Sequence, residues 1–195
     1  VGVLLTDYIA SSRIELGTMP QNPIVVKTIV TTSMIDRLAE TYGFEVVNIL
    51  TGFKYIGEQI LRLEQKGEQD RYIFGFEESY GYLSGPHVRD KDAVNASLLI
   101  CEMVCWYKNQ GRSLLDGLED IFARFGYYTD KVMSFTFEGA AGFETMQGIM
   151  KALRADPIRE AAGFAVESCT DYLGDDTGLP KSNVMQYHLT GGTVA

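Results

Sequence analysis

Two adjacent carboxylates, Glu77 and Glu78, and a hydroxyl, Ser79, stand a few residues ahead of His87, Arg89 and Lys91. A carboxylate accepts from two neighbouring hydroxyls at once, and a serine hydroxyl can donate or accept. Arginine and lysine supply charge-assisted donors to an anion. Together these residue types suit a phosphorylated polyol, with acceptors for its hydroxyls and cations for its phosphate. Each also has a plainer reading. Paired glutamates after a strand can be a solvated helix N-terminus favoured by the dipole, and Arg89-Asp90-Lys91-Asp92 alone reads as an exposed salt-bridged turn. Asp92 is a natural N-cap for a helix beginning at Ala93. Glu78, facing the other way from Glu77, reads as structural or as a partner for Arg89.

These side chains need a frame. Tyr72–Phe76 is a short apolar run that predicts a buried strand ending at the carboxylates, and open α/β sheets bind ligands just beyond the carboxyl ends of their strands. Upstream, Ile24–Thr32 is rich in β-branched residues and predicts a central strand. Ser33 is the expected N-cap of a helix carrying Met34, Ile35, Leu38 and Ala39, which Gly43 stops. Phe44–Leu50 predicts a second strand, and Thr51-Gly52 turns into a helix with Ile56, Ile60, Leu61 and Leu63 that Gly67 closes. Strand, helix, strand, helix, strand predicts an α/β fold: a mixed, mostly parallel sheet with flanking helices.

Helices are predicted next over Ala93–Asn109 and Leu114–Phe125, with Trp106, Tyr107, Phe122 and Phe125 expected in the core. At the start, Leu4, Leu5, Tyr8, Ile9 and Ser12 recur at helical spacing up to Gly17. Residues 127–138 read as an extended crossing segment and 138–142 as a linker. A helix over Phe143–Leu153 and strands near Ala165–Tyr172 and Val184–Leu189 complete the chain. About 55 residues of this kind cannot bury a full core. The expected organisation is therefore a lead-in helix from a preceding domain over 1–19, an α/β domain over 20–138, and the start of a truncated α+β domain over 139–195. Val1 opens inside an amphipathic pattern and the last residues lead toward a further strand, so a fragment of a larger enzyme is expected.

The chain of 195 residues is 46% hydrophobic and 22% charged, ordinary for a globular domain. A formal charge of −9 argues against a general nucleic-acid surface, which needs clustered Lys and Arg. It leaves room for a small anion in a local basic loop. Cys101 and Cys105 lie four apart in a predicted helix and Cys169 is distant; an odd count without repeating spacing predicts reduced thiols in a cytoplasmic compartment. Without a histidine cluster the pair is expected to be buried core thiols rather than metal ligands. No apolar run reaches the roughly 18 residues of a membrane span, and the start lacks a basic signal region, so no membrane partner is expected.

Four stretches resemble the third domain of the α-D-phosphohexomutases, the phosphoglucomutase and phosphomannomutase family. Lys27-Thr28-Ile29-Val30-Thr31-Thr32 is similar to its first strand, and Leu50-Thr51-Gly52-Phe53-Lys54 to its TGFK or TGWK turn. Phe76-Glu77-Glu78-Ser79 resembles the sugar-recognition loop, and Val88-Arg89-Asp90-Lys91-Asp92 the basic segment after it. The likeness runs over about 1–195, with residues beyond about 140 similar to the start of the fourth domain. It implies transfer of a phosphoryl group between the C1 and C6 oxygens of a hexose through a bisphosphorylated sugar. A phosphoserine, a Mg²⁺ loop and a distal phosphate-gripping loop would do that chemistry. No TASHNP-like, DGDxDR-like or RPSGTEP-like stretch occurs in this chain. The implied cofactors, Mg²⁺ and glucose 1,6-bisphosphate, would therefore act in a full-length enzyme.

Carried over by resemblance, Glu77 and Ser79 would hold hexose hydroxyls, so that the ring can bind in either orientation. Arg89 and Lys91 would face a phosphate or the transferring oxygen, with Lys91 the candidate for assisting proton transfer. Thr51 and Gly52 would let backbone approach the sugar, and Lys54 would neutralise phosphate charge or simply be a surface lysine. The chain departs from one branch of the family in having Phe76 where a glycine precedes the first glutamate, and Tyr80-Gly81 after the serine. His87 resembles a residue found before the basic segment in the phosphoglucomutase branch. The implied partners are hexose phosphates and the remaining domains of the same enzyme. The contrasting reading is a non-enzymatic α/β domain that binds a phosphosugar or a protein partner.

Overall fold

The β-branched run opens as strand β1, Ile24–Thr28, buried along its whole length, as a strand covered on both faces must be. The computed structural model describes all 195 residues and divides them into two units, Val1–Asp130 and Lys131–Ala195. In the first unit β1 carries β2 (Glu45–Ile49) on one side and β3 (Tyr72–Glu77) on the other, both parallel to it. A short strand β4 (Gly81–Leu83) extends the β3 edge antiparallel, giving the order β2-β1-β3-β4. Mostly parallel and flanked by helices, this is the α/β class read from the sequence.

Helix α3 (Lys54–Gln65) covers one face, packing Ile56, Ile60 and Leu63 against Ile24, Val26, Ile49 and Leu83. Helices α1 (Gly2–Glu15), α2 (Met34–Tyr42), α4 (Ala93–Asn109) and α5 (Leu114–Phe125) contribute to the opposite core, with Val25, Phe74 and Phe76. The chain leaves β1 for β2 on one side and crosses back to β3 on the other. The crevice beyond the carboxyl ends of β1 and β3 is thus the topological switch point, where open α/β sheets hold ligands.

Several local expectations are corrected. β1 ends at Thr28 rather than Thr32, because the Thr31 N–H donates to the Thr28 carbonyl at 3.0 Å and the two hydroxyls bond at 2.7 Å. A local turn has replaced the ladder. Ser33 already has helical backbone angles and caps nothing with its side chain; the Met34 N–H donates to Thr32 Oγ1 at 3.4 Å instead. Helix α1 is an integral core element of this unit, with Leu5 and Ala10 fully buried. Tyr107 is buried as expected, while Trp106, Phe122 and Phe125 are only partly buried against the core. Cys101 and Cys105 are exposed, not core thiols. The buried side of α4 runs through Ala96, Met103 and Tyr107, and the cysteines share the opposite side with Val94 and Leu98, which are 82% and 66% exposed.

In the second unit, α6 spans Gly139–Ala155 and so begins inside the stretch expected as a linker. Residues 127–138, expected to be extended, form no strand. Val132 and Phe135 there are 79% and 75% exposed. Strands β5 (Glu160–Ala161), β6 (Phe164–Asp171) and β7 (Met185–Leu189) make an antiparallel sheet in that order. Arg154 Nε donates to Asp171 Oδ2 at 2.9 Å and holds that carboxyl below the usual range, tying α6 to β6. No residue of α6 is buried.

Candidate functional site

Glu77 is the last residue of β3, paired across the hairpin with Gly81, and only 4% exposed. Three residues, Glu78-Ser79-Tyr80, make the connection to β4. Tyr80 has φ +59°, the left-handed conformation that three-residue hairpin loops often require near their end, usually from glycine. Inside this loop Ser79 Oγ donates to Glu77 Oε1 at 3.0 Å, and Lys91 Nζ lies 2.5 Å from the same oxygen. The Lys91 side chain is 42% exposed and that of Glu77 3%. A buried carboxylate is thus neutralised by an ammonium that still reaches solvent.

Gly81 makes this pairing possible. A Cβ at Gly81 would lie 2.8 Å from Glu77 Cγ, Lys91 Cε and Phe53 Cδ2 alike, inside the contact distance of packed carbons. The missing side chain is the slot through which Lys91 crosses β4 to Glu77. Phe53 forms one wall, with Lys91 Nζ 5.0 Å from its ring centroid, an approach at which the ring face attracts a cation. Phe53 is placed by the Thr51-Gly52 turn, in which Gly52 has φ +124° and its carbonyl accepts from the Tyr55 N–H at 3.0 Å. Thr51 is exposed, and Lys54 is exposed with its Nζ 4.8 Å over the Tyr55 ring.

Glu78 leaves the strand in the other direction. Its Oε2 accepts from Thr28 Oγ1 at 2.8 Å, so its partner is the end of β1 and not Arg89. A carboxylate only accepts, so Thr28 donates to it and Thr31 in turn donates to Thr28. Buried Lys27 donates to the Thr31 carbonyl at 3.3 Å. Desolvation pushes its amine pKa down, with Asp36 and Asp130 pulling the opposite way. Lys27, Thr28 and Thr31 therefore floor the switch point beside the β3–β4 hairpin.

The rest of the basic stretch diverges from Glu77. Arg89 pairs with Glu64, near the end of α3 and roughly 15 Å along the helix axis from Lys54. Its backbone carbonyl sits against Gly57, where an added Cβ would come within 2.8 Å. His87 bonds Asp92 Oδ2 at 2.9 Å. Asp92 caps α4 by accepting from the Asn95 N–H at 2.9 Å, and that bond, with the one to His87, lowers its pKa. Of the residues singled out from the sequence, the structure brings together Glu77, Ser79 and Lys91, and sets His87 and Arg89 on other partners. Phe53 and Gly81 also build the cluster, and Thr28 holds Glu78 beside it. Phe53 and Thr28 lie inside the four family-like stretches, but no feature of the sequence marks them as neighbours of Glu77 and Glu78. An open surface depression is lined by residues including Val88, Arg89, Lys91 and Val94, and neither Glu77 nor Ser79 belongs to its lining. No group of three or more His, Cys, Asp or Glu side chains converges to hold a metal.

A mostly parallel sheet between two helical layers, with a carboxylate, a hydroxyl and an ammonium gathered at its switch point, defines an α/β/α domain. The family model described as phosphoglucomutase/phosphomannomutase, alpha/beta/alpha domain III, matches residues 1–125, and the chain belongs to that family. It is 36% identical to a phosphoglucomutase of Staphylococcus epidermidis over its whole length, and 34% identical to one of Staphylococcus aureus. In both cases it spans 36% of the relative's own length, about a third. Its fold is similar to a Paramecium phosphoglucomutase, pp63/parafusin, in an open form, with TM-score 0.64 and 18% identity over 99% of this chain and 33% of that one. A Thermus thermophilus protein described as a phosphomannomutase gives 0.58 and 22% over 95% of this chain and 32% of that one. At those identities the two structures speak for the fold alone.

Proposed function

We propose that this chain is the sugar-recognition region of a mutase that interconverts hexose 1-phosphate and hexose 6-phosphate through a bisphosphorylated sugar. The observation that carries the reading is the Ser79–Glu77–Lys91 cluster, with Lys91 Nζ 2.5 Å from a buried carboxylate at the switch point. Glu77 and Ser79 take the sugar hydroxyls, in either ring orientation because both oxygens of a carboxylate accept alike. Lys91 donates toward the transferring oxygen and is the candidate for moving its proton. Thr51, Gly52 and Lys54 border the ligand from the α3 turn; His87 and Arg89, held by Asp92 and Glu64, would join them only by leaving those partners.

Mg²⁺ supplies charge neutralisation for phosphoryl transfer in this reading. The residues gathered here are not a metal-binding set, so the ion, the phosphoserine and the binding of glucose 1,6-bisphosphate are assigned to the rest of the full-length enzyme. A cytoplasmic setting fits three cysteines that form no disulfide, and no helix is long and apolar enough to cross a membrane. The test is turnover of glucose 1-phosphate and mannose 1-phosphate by the full-length protein with Mg²⁺ and glucose 1,6-bisphosphate, beside the 195-residue chain under the same conditions. The reading expects product from the first and none from the second. A full-length protein inactive on both sugars, or an active fragment, overturns it.

A further inference from the structure

We infer that Thr28, at the end of the central strand, is a positioning residue that sets the conformation of the recognition hairpin through Glu78. The hairpin tip is an unfavourable piece of backbone. Tyr80 is a non-glycine residue at φ +59° and is 83% exposed, so packing of the ring does not hold it there. Conformations of this kind persist only where neighbouring structure over-determines them. Two contacts bracket the tip. On one side Ser79 Oγ donates to Glu77 Oε1 at 3.0 Å; on the other Thr28 Oγ1 donates to Glu78 Oε2 at 2.8 Å. Only the second reaches another strand, fifty positions away in sequence.

The far end of that contact is itself fixed. Thr28 is fully buried, and the Thr31 hydroxyl bonds it at 2.7 Å. Lys27, 4% exposed, donates to the Thr31 carbonyl at 3.3 Å. The chain of donors runs in one direction, from the buried ammonium through two threonines to the glutamate. Glu78 thereby ties the loop down on one side of Ser79, leaving Glu77 and Ser79 facing Lys91. On this inference Glu78 touches no substrate; it holds the residues that do.

The inference rests on the proposed sugar-recognition role for its effect on turnover, but not for its effect on the loop. The experiment therefore reads both in the full-length protein, comparing Thr28→Val, which keeps the shape and removes the hydroxyl, with Thr28→Ser, which keeps the hydroxyl. Hydrogen exchange over residues 78–82 should quicken about tenfold or more in Thr28→Val, the scale set by losing a hydrogen bond to a charged group. Thr28→Ser should keep the protection of the parent protein, and helix α5 should exchange alike in all three. In the mutase assay, Thr28→Val should raise KM for the hexose phosphate about tenfold with a smaller change in kcat. Unchanged exchange at 78–82 in Thr28→Val overturns the inference. So does equal loss in Thr28→Ser, which keeps the hydroxyl. If the parent protein turns over no hexose phosphate, the proposed function fails while the exchange comparison still decides this point.

Discussion

Replacing Gly81 by alanine should separate Lys91 from Glu77 without strain on the backbone, since Gly81 is not among the glycines at positive φ. The added carbon would sit 2.8 Å from carbons of Glu77, Lys91 and Phe53. Overpacking of this sort costs about 1–3 kcal/mol. Phe53 is 4% exposed and cannot retreat, whereas the Lys91 side chain is 42% exposed and swings out first. The Glu77 carboxylate then loses its ammonium. A hydrogen bond to a charged group contributes roughly 1.5–3 kcal/mol, which solvent screening at a half-exposed lysine reduces to about 1. That part of the cost has already been incurred in Lys91→Ala. Urea denaturation of the parent, Gly81→Ala, Lys91→Ala and the double variant should therefore give a coupling of about 1 kcal/mol. Additivity within about 0.5 kcal/mol, the usual behaviour of independent sites, would refute the claim that Lys91 reaches Glu77 through the Gly81 slot.

Other consequences concern the scaffold. Asp7 is 6% exposed and accepts from Tyr42 at 2.6 Å and Arg124 at 2.7 Å, joining α1, α2 and α5. Arg124→Met should cost about 1–3 kcal/mol in chemical denaturation, below the full penalty of a broken buried pair because Arg124 is partly exposed. Burial and the bond to Asp7 push the Tyr42 phenol from 10.0 up to about 12. The folded state then keeps a proton that the unfolded chain releases, so this stabilisation is complete below pH 10 and lost as pH rises toward 12. Thermal unfolding across that window should fall less steeply in Tyr42→Phe than in the parent. With Cys101 and Cys105 exposed and Cys169 half-buried, a thiol reagent should modify two cysteines fast and one slowly in the native chain.

What the sequence disclosed depends on how local the deciding interactions are. Helices α4 and α5 have the expected bounds because their stops are written next to them: Asp92 caps one, Ser113 with Asp116 caps the other, and Gly126 comes directly after the second. The parallel strands were readable from β-branched runs. β4 was not, because Gly81-Tyr82-Leu83 is too short to show alternation and exists only by pairing with β3. The cysteines were misjudged because α4 is apolar on both sides, so periodicity does not say which side is buried. In the site, the residue types at 77, 79 and 91 were visible. The divergence of Arg89 to Glu64 was not, since it depends on a backbone approach at Gly57 made in three dimensions. Thr28 escaped notice for the same reason: its partner, Glu78, is fifty residues away.

Glu77 carries the central claim, and the most direct measurement is kcat/KM of Glu77→Ala for a hexose phosphate in the full-length enzyme, with unfolding followed in parallel. If Glu77 takes two sugar hydroxyls as proposed, its loss should lower kcat/KM by about a hundredfold to ten-thousandfold, at roughly 1.5–3 kcal/mol per bond, while the protein still unfolds cooperatively. An enzyme that keeps its activity without that side chain would contradict the placement of the sugar at this crevice.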